Sequence, residues 1–191
     1  FRVQRREFSR WPTPNTKRQP PIPNTKTVIW IDKPGEYDKC DGIATNISNN
    51  LILTLSTADC LPIVLFDKQT GNFALVHAGW RGVVGKIANT SVKLMIKMGS
   101  VIDNINCFFG PSISQEMYPV DYDVASKFLK KFYYKKKKKY FLDIRRQLIS
   151  DILSLGISSN NIILSSECTY KNREICSYRR DGNEVGRNIT L

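Results

Sequence analysis

The chain has 191 residues, with 29 Lys and Arg against 17 Asp and Glu, a net charge of +12, and 41% hydrophobic residues. That length suits one domain with a real core, and no run approaches the roughly 18 apolar residues needed to span a bilayer. The opening FRVQRREFSRW carries charge with no apolar stretch behind it, so no secretory signal is expected and a cytoplasmic protein is the default.

Residues 1–26 differ in texture from the rest. PTPNTKRQPPIPNTK holds PNTK twice, at 14–17 and 23–26, among five prolines. Proline lacks the N–H that a helix interior or a central strand needs, so 1–26 is expected to be an irregular arm, and 27–191 the folded domain. VIWI (28–31) reads as a strand and KPGE (33–36) as a turn. LILTLS (51–56), PIVLF (62–66) and NFALVH (72–77) are apolar almost throughout, which predicts strands covered on both faces. Residues 83–98 place Val84, Ile87, Ala88, Val92, Met95 and Ile96 at helical spacing, with Gly99 as the stop. INCFFG (105–110) is a further strand. Asp121 or Asp123 can cap a helix running to about Phe132. DIRRQLISDILSL (143–155) is an amphipathic helix closed by Gly156, and NIILS (161–165) a late strand. The fold class is α/β of the mixed α+β kind, one compact domain with a mixed sheet and flanking helices.

Charge and cysteine usage narrow the chemistry. A surplus of +12 suggests an anionic partner. Yet five lysines sit in one block, Lys135 to Lys139, and another basic group lies in the first 18 residues. FYYKKKKKYF interleaves aromatics with lysines as single-strand binders do, but the simpler reading is a solvated lysine-rich loop between two helices. Nucleic acid is therefore the least favoured partner; binding of that kind would weaken steeply with salt. The five cysteines are Cys40, Cys60, Cys107, Cys168 and Cys176. An odd number with no CxxC argues against a disulfide framework or a zinc ribbon and for reduced thiols.

One hairpin carries the candidate chemistry. If Asp67 to Thr70 form its four-residue loop, Phe66 faces Gly71, Ile63 faces Ala74, and Cys60 faces His77, the only histidine. Opposed β-carbons lie about 4.5–5.5 Å apart. Such a pair can be a thiolate–imidazole nucleophile, two ligands of one metal ion, or a buried Cys packed near a hydrogen-bonded His. A loop of another length or a bulge would change the register. Asp59 lies beside the cysteine and Arg81 four residues past the histidine.

STADCLPIVLFD (56–67), ALVHAGWRGVVGKI (74–87), FFGPSIS (108–114), YPV (118–120), ECTY (167–170) and SYRRDG (177–182) with GR (186–187) resemble the YfiH-type laccase-domain family. Its members were first called polyphenol oxidases and are now understood as zinc-containing purine nucleoside phosphorylases with accompanying adenosine deaminase activity. The resemblance covers roughly residues 28–191 and implies a mixed α/β domain. It further implies phosphorolysis of adenosine and inosine, with methylthioadenosine as a further substrate, in a cytoplasmic enzyme. Its metal, zinc or alternatively copper, would be held by Cys60 and His77, which with Arg81 form the implied catalytic set. Asp59, Arg179 and Arg180 are candidate substrate contacts; for the arginines a structural ion pair with Asp59 or Asp181 is the competing assignment. Gly110-Pro111-Ser112 is a candidate source of backbone donors. Gly79 and Gly82 would allow close backbone approach, and Trp80 belongs to the core.

The sequence departs from the family in one ligand. The family's third metal ligand is a histidine from a QVHG segment, and its position falls on Asn24, a poor zinc ligand. The family's Gly-rich start is also missing, so the arm is family-atypical, and a truncated or frame-shifted start is one explanation. Two rivals follow: a metal-free Cys–His hydrolase or deamidase, and a catalytically impaired remnant of the family. The implied partners are a purine nucleoside and phosphate, with no membrane; oligomeric state is left open.

Overall fold

The computed structural model describes residues 1–5, 26–182 and 186–191; Asn24 and most of the proline-rich stretch lie outside these. The chain opens on β1 (Arg2–Arg5), where Phe1 and Val3 alternate with polar neighbours and are buried. Residues 2–5, part of the expected irregular arm, thus form a strand, because apolar residues two apart share one face of an extended chain. There follow β2 (Val28–Trp30), β3 (Gly35–Glu36), β4 (Gly42–Asn46), β5 (Leu51–Thr57), β6 (Leu61–Asp67) and β7 (Asn72–Ala78). β3 falls inside the stretch expected to be a turn, and pairs with β1.

The expected helix over 83–98 is two helices, α1 (Trp80–Val84) and α2 (Ile87–Lys97). Lys86 has a left-handed backbone, φ 61°, which no continuous helix accommodates. Its ammonium instead reaches Asp151 Oδ1 at 2.7 Å. Next come β8 (Ile105–Phe109), β9 (Pro119–Val120) and α3 (Tyr122–Ala125). The helix expected to run to Phe132 stops after four residues. Asp121, at its cap position, makes no side-chain cap and binds Lys139 Nζ instead, at 2.7 Å. Beyond it, FYYKKKKKYF is no loop but a hairpin of β10 (Tyr133–Lys136) and β11 (Lys139–Leu142). Tertiary burial of Phe128, Phe132 and Leu142 overrides the local helical spacing. α4 (Ile144–Ser154) is capped by Asp143, whose carboxylate accepts from Arg146 N at 2.9 Å. β12 (Ile162–Leu164), α5 (Tyr178–Asp181) and β13 (Asn188–Thr190) complete the chain.

The organising layer is a six-stranded mixed sheet in the order β12-β8-β6-β7-β4-β2. β12 is parallel to β8 and β2 to β4; the other neighbours are antiparallel. Ile63, Leu65, Ala74, Val76, Cys107 and Phe109 form one core with Val92 and Met95 of α2 and Leu148 and Ile152 of α4. Ile43 and Leu75 point the other way and pack with Val3, Leu51, Leu53 and Leu55 of the β13-β5-β1-β3 sheet. β7 is therefore covered on both faces, as its apolar run predicts. β6 is covered less completely, with Phe66 exposed, and β5 buries alternate residues only. A third sheet, β10-β11-β9, carries Pro119, whose carbonyl accepts from Arg179.

Candidate functional site

The β6–β7 hairpin is closed by Asp67 opposite Asn72, with residues 68–71 as its loop. Asp67 accepts from Gln69 N and Thr70 N at 2.9 and 3.3 Å, and Gly71 supplies the positive φ, 74°. An aspartate that folds a turn onto its own carboxylate ends the strand there. The register is thus two residues away from the expected one, and Pro62, not Cys60, faces His77. A two-residue shift preserves the face, because strand side chains alternate with period two. Cys60, just before β6, remains the diagonal neighbour of His77 and interacts electrostatically with its ring.

Sequence reasoning missed a third partner. Asp41 is buried immediately before β4, and His77 Nδ1 lies 3.4 Å from its Oδ1. The backbone reinforces the placement: His77 N donates to Asp41 O at 2.7 Å, and Lys26 N donates to Asp41 Oδ2 at 2.8 Å. Nothing in the local sequence marks Asp41; the β4–β7 pairing brings it to the histidine. Burial of the His77 ring disfavours its charge, but the neighbouring Cys60 and Asp41 outweigh that and raise its pKa to about 9.

The remaining candidates divide into two groups. Arg81 is exposed, with its guanidinium 4.2 Å over the Trp80 ring. Trp80 itself packs partly buried against the core. Arg179 lies 5.0 Å over the Tyr118 ring, and its Nη1 donates to Pro119 O at 2.9 Å. Tyr118 is buried within electrostatic reach of Cys60, Arg179, Asp59 and Arg81; burial foremost pushes its phenol pKa up, so it stays a neutral hydroxyl. Tyr118 thus connects Arg81 and Arg179 electrostatically with Cys60.

Asp59 and Arg180 are engaged in the scaffold. Asp59, at φ 87°, accepts from Thr169 Oγ1 at 2.6 Å and Arg179 N at 2.7 Å, tying the C-terminal segment to the β5–β6 turn. Arg180 donates to the carbonyls of Thr169, Tyr170, Asn172 and Ile175 and pairs with Asp181 at 2.7 Å. The Gly110 loop also turns inward: the N–H groups of Gly110, Ile113 and Ser114 go to Pro62 O, Asp59 O and Cys168 Sγ. Arg145, unmarked in the sequence, binds Ser112 Oγ at 2.7 Å and the Ser112 and Glu167 carbonyls. A Cβ on Gly82 would meet nothing nearer than 3.6 Å, so no close approach requires that glycine. All five cysteines are free thiols.

Chemically, Cys60 and His77 are a soft and a borderline donor of the kind zinc prefers, and a carboxylate behind the imidazole is the usual orienting partner of a metal-bound histidine. The donor types fit zinc. No cluster of three or more His, Cys, Asp or Glu that could hold a metal occurs among the described residues, so the pair would supply two protein ligands.

Fold and site together define a mixed α/β domain carrying a thiol–imidazole–carboxylate cluster at the end of a central hairpin. The family described as multi-copper polyphenol oxidoreductase laccase matches residues 23–191, and the chain belongs to that family. It is 34% identical over 160 residues to adenosine deaminase RL5 from an unknown prokaryotic organism, covering 78% of this chain and 60% of that protein. It is 30% identical over 167 residues to the purine nucleoside phosphorylase of Deinococcus radiodurans, covering 84% and 63%. The chain thus spans somewhat under two thirds of the length of these relatives. Among solved structures, Bacillus licheniformis YfiH superposes with a TM-score of 0.74 at 31% identity, covering 78% of this chain and 60% of that one. YlmD from Geobacillus stearothermophilus gives 0.78 at 25%, covering 88% and 69%. Among the described residues no helix is long and apolar enough to cross a membrane.

Proposed function

We propose that this chain is a purine nucleoside phosphorylase domain acting on adenosine and inosine, with an adenosine deaminase side activity, at the Cys60–His77 site. The observation that carries the reading is the buried Asp41–His77 pair with half-buried Cys60 beside it, together with relatives named for both activities. In phosphorolysis a phosphate oxygen bonds to the ribose C1′ while the C1′–N9 bond breaks, its electron pair leaving with the base. The departing base needs a proton or a donor, and in the metal-free site His77, held as imidazolium by Asp41 and Cys60, can provide one. Arg81, with a planar fork exposed above Trp80, is suited to the phosphate oxygens, and Arg179 is the second candidate. Tyr118, a neutral hydroxyl on an aromatic ring, lines the same site. Asp59 and Arg180 act by positioning Arg179 and the segment around it. Zinc, if held by Cys60 and His77, would take the place of the His77 proton and supply a bound water ionising near pH 7, suited to deamination.

The test is release of base from adenosine and inosine, followed by chromatography with and without phosphate and zinc, in wild type and Cys60→Ala. Zinc content per folded chain is measured on the same samples. Phosphate-dependent release that Cys60→Ala abolishes, with zinc lost alongside, supports the reading. A folded protein that releases no base refutes it. Having only two described donors favours one rival, a metal-free Cys–His hydrolase. That rival requires activity that survives chelation and is blocked by iodoacetamide.

A further inference from the structure

The β10–β11 hairpin orders the lysine block on a defined surface. From Lys127 to Lys139 the chain holds eight lysines and no acidic residue. Register Tyr134↔Phe141 and Lys136↔Lys139 puts these four side chains on one face. The opposite face anchors the hairpin: Leu142 is buried, and Tyr133 and Tyr140 pack against the core. Tyr122 and Tyr133 brace Tyr140, at ring distances of 5.3 and 5.7 Å.

On the outer face the rings of Tyr134 and Phe141 stack nearly parallel, 8° apart with centroids at 5.1 Å, and Tyr134 is 40% exposed. Lys136 and Lys139 follow toward the tip, and Lys137, at φ 54°, turns the chain. Only Lys139 of the block pairs with a carboxylate among the described residues, that of exposed Asp121. Phe141 pairs in turn with Pro119 of β9, whose carbonyl binds Arg179. One track therefore runs from the lysine tip, past the stacked rings, to an arginine at the candidate site.

The geometry points to a binding surface for single-stranded nucleic acid on the outer face of β10–β11. Single strands offer phosphates for cations and exposed base faces for aromatic rings, with little demand for sequence. A membrane surface fits less well, because the tip is lysine alone and the aromatic rings lie behind it. Apart from Arg179 at its end, the surface shares no residue with the Cys60–His77 site.

The test uses the whole protein with a fluorescein-labelled oligothymidylate of about 20 nucleotides, read by anisotropy between about 50 and 200 mM NaCl. Binding is expected to fall with salt by a log–log slope of about −0.7 per phosphate contact, and Lys136→Gln with Lys138→Gln should make the slope shallower by about 1.4. Tyr134→Ala should weaken binding about 5-fold or more with the slope unchanged, the signature of stacking. Failure to bind at about 50 mM salt overturns the inference. So does indifference to Tyr134→Ala in a protein folded by circular dichroism, or equal affinity for phosphatidylserine vesicles, either of which would leave only a general cationic patch.

Discussion

The single histidine makes the candidate site directly readable. In protein stripped of metal by a chelator, the one imidazole Hε1 resonance reports His77 alone. Its pKa should lie near 9, against the ordinary 6.5. Burial works against that rise, and the neighbouring Cys60 and Asp41 produce it. At 1.36 kcal/mol per pH unit, the gap corresponds to roughly 3 kcal/mol favouring the imidazolium in the folded state. The sign follows from linkage. Because the folded value is the higher one, this stability is fully present below about pH 6.5 and is lost as pH rises through about 9. Denaturant melts at pH 6 and pH 10 should differ accordingly. Asp41→Asn should lower the titration midpoint, and Cys60→Ala should lower it further, since burial then faces only the carboxylate. A wild-type midpoint at or below 6.5, or no change in Cys60→Ala, would refute the assigned electrostatics.

Two further substitutions probe the frame around the pair. Asp59→Ala leaves the Thr169 hydroxyl and the Arg179 N–H without their acceptor in a buried site, and should cost about 3 kcal/mol in a denaturant melt, with Asp59→Asn costing less. Gly110→Ala would put a Cβ 2.7 Å from Pro62 Cγ, in the residue that faces His77. It should destabilise by about 1–3 kcal/mol and move the His77 resonance, whereas an unchanged spectrum would mean the hairpin absorbs the methyl elsewhere.

Local sequence determined much of this protein. Apolar runs specified β6, β7 and β8, and an amphipathic repeat with Asp143 before it and Gly156 after it specified α4, because burial and capping act on neighbours in the chain. The association of Cys60 with His77 was also legible despite a two-residue error in register, since an even slip leaves both side chains on one face. Only tertiary structure decided the rest. Asp41 reaches His77 because β4 pairs with β7 across more than thirty intervening residues, and no local pattern encodes that pairing. Asp59 and Arg180, adjacent to recognisable motifs, turned out to hold carbonyls, a hydroxyl and an N–H of their own scaffold. The lysine block became a hairpin because its inward residues Tyr133, Tyr140 and Leu142 find a core to cover them, and a sequence read locally does not reveal which distant residues supply that core.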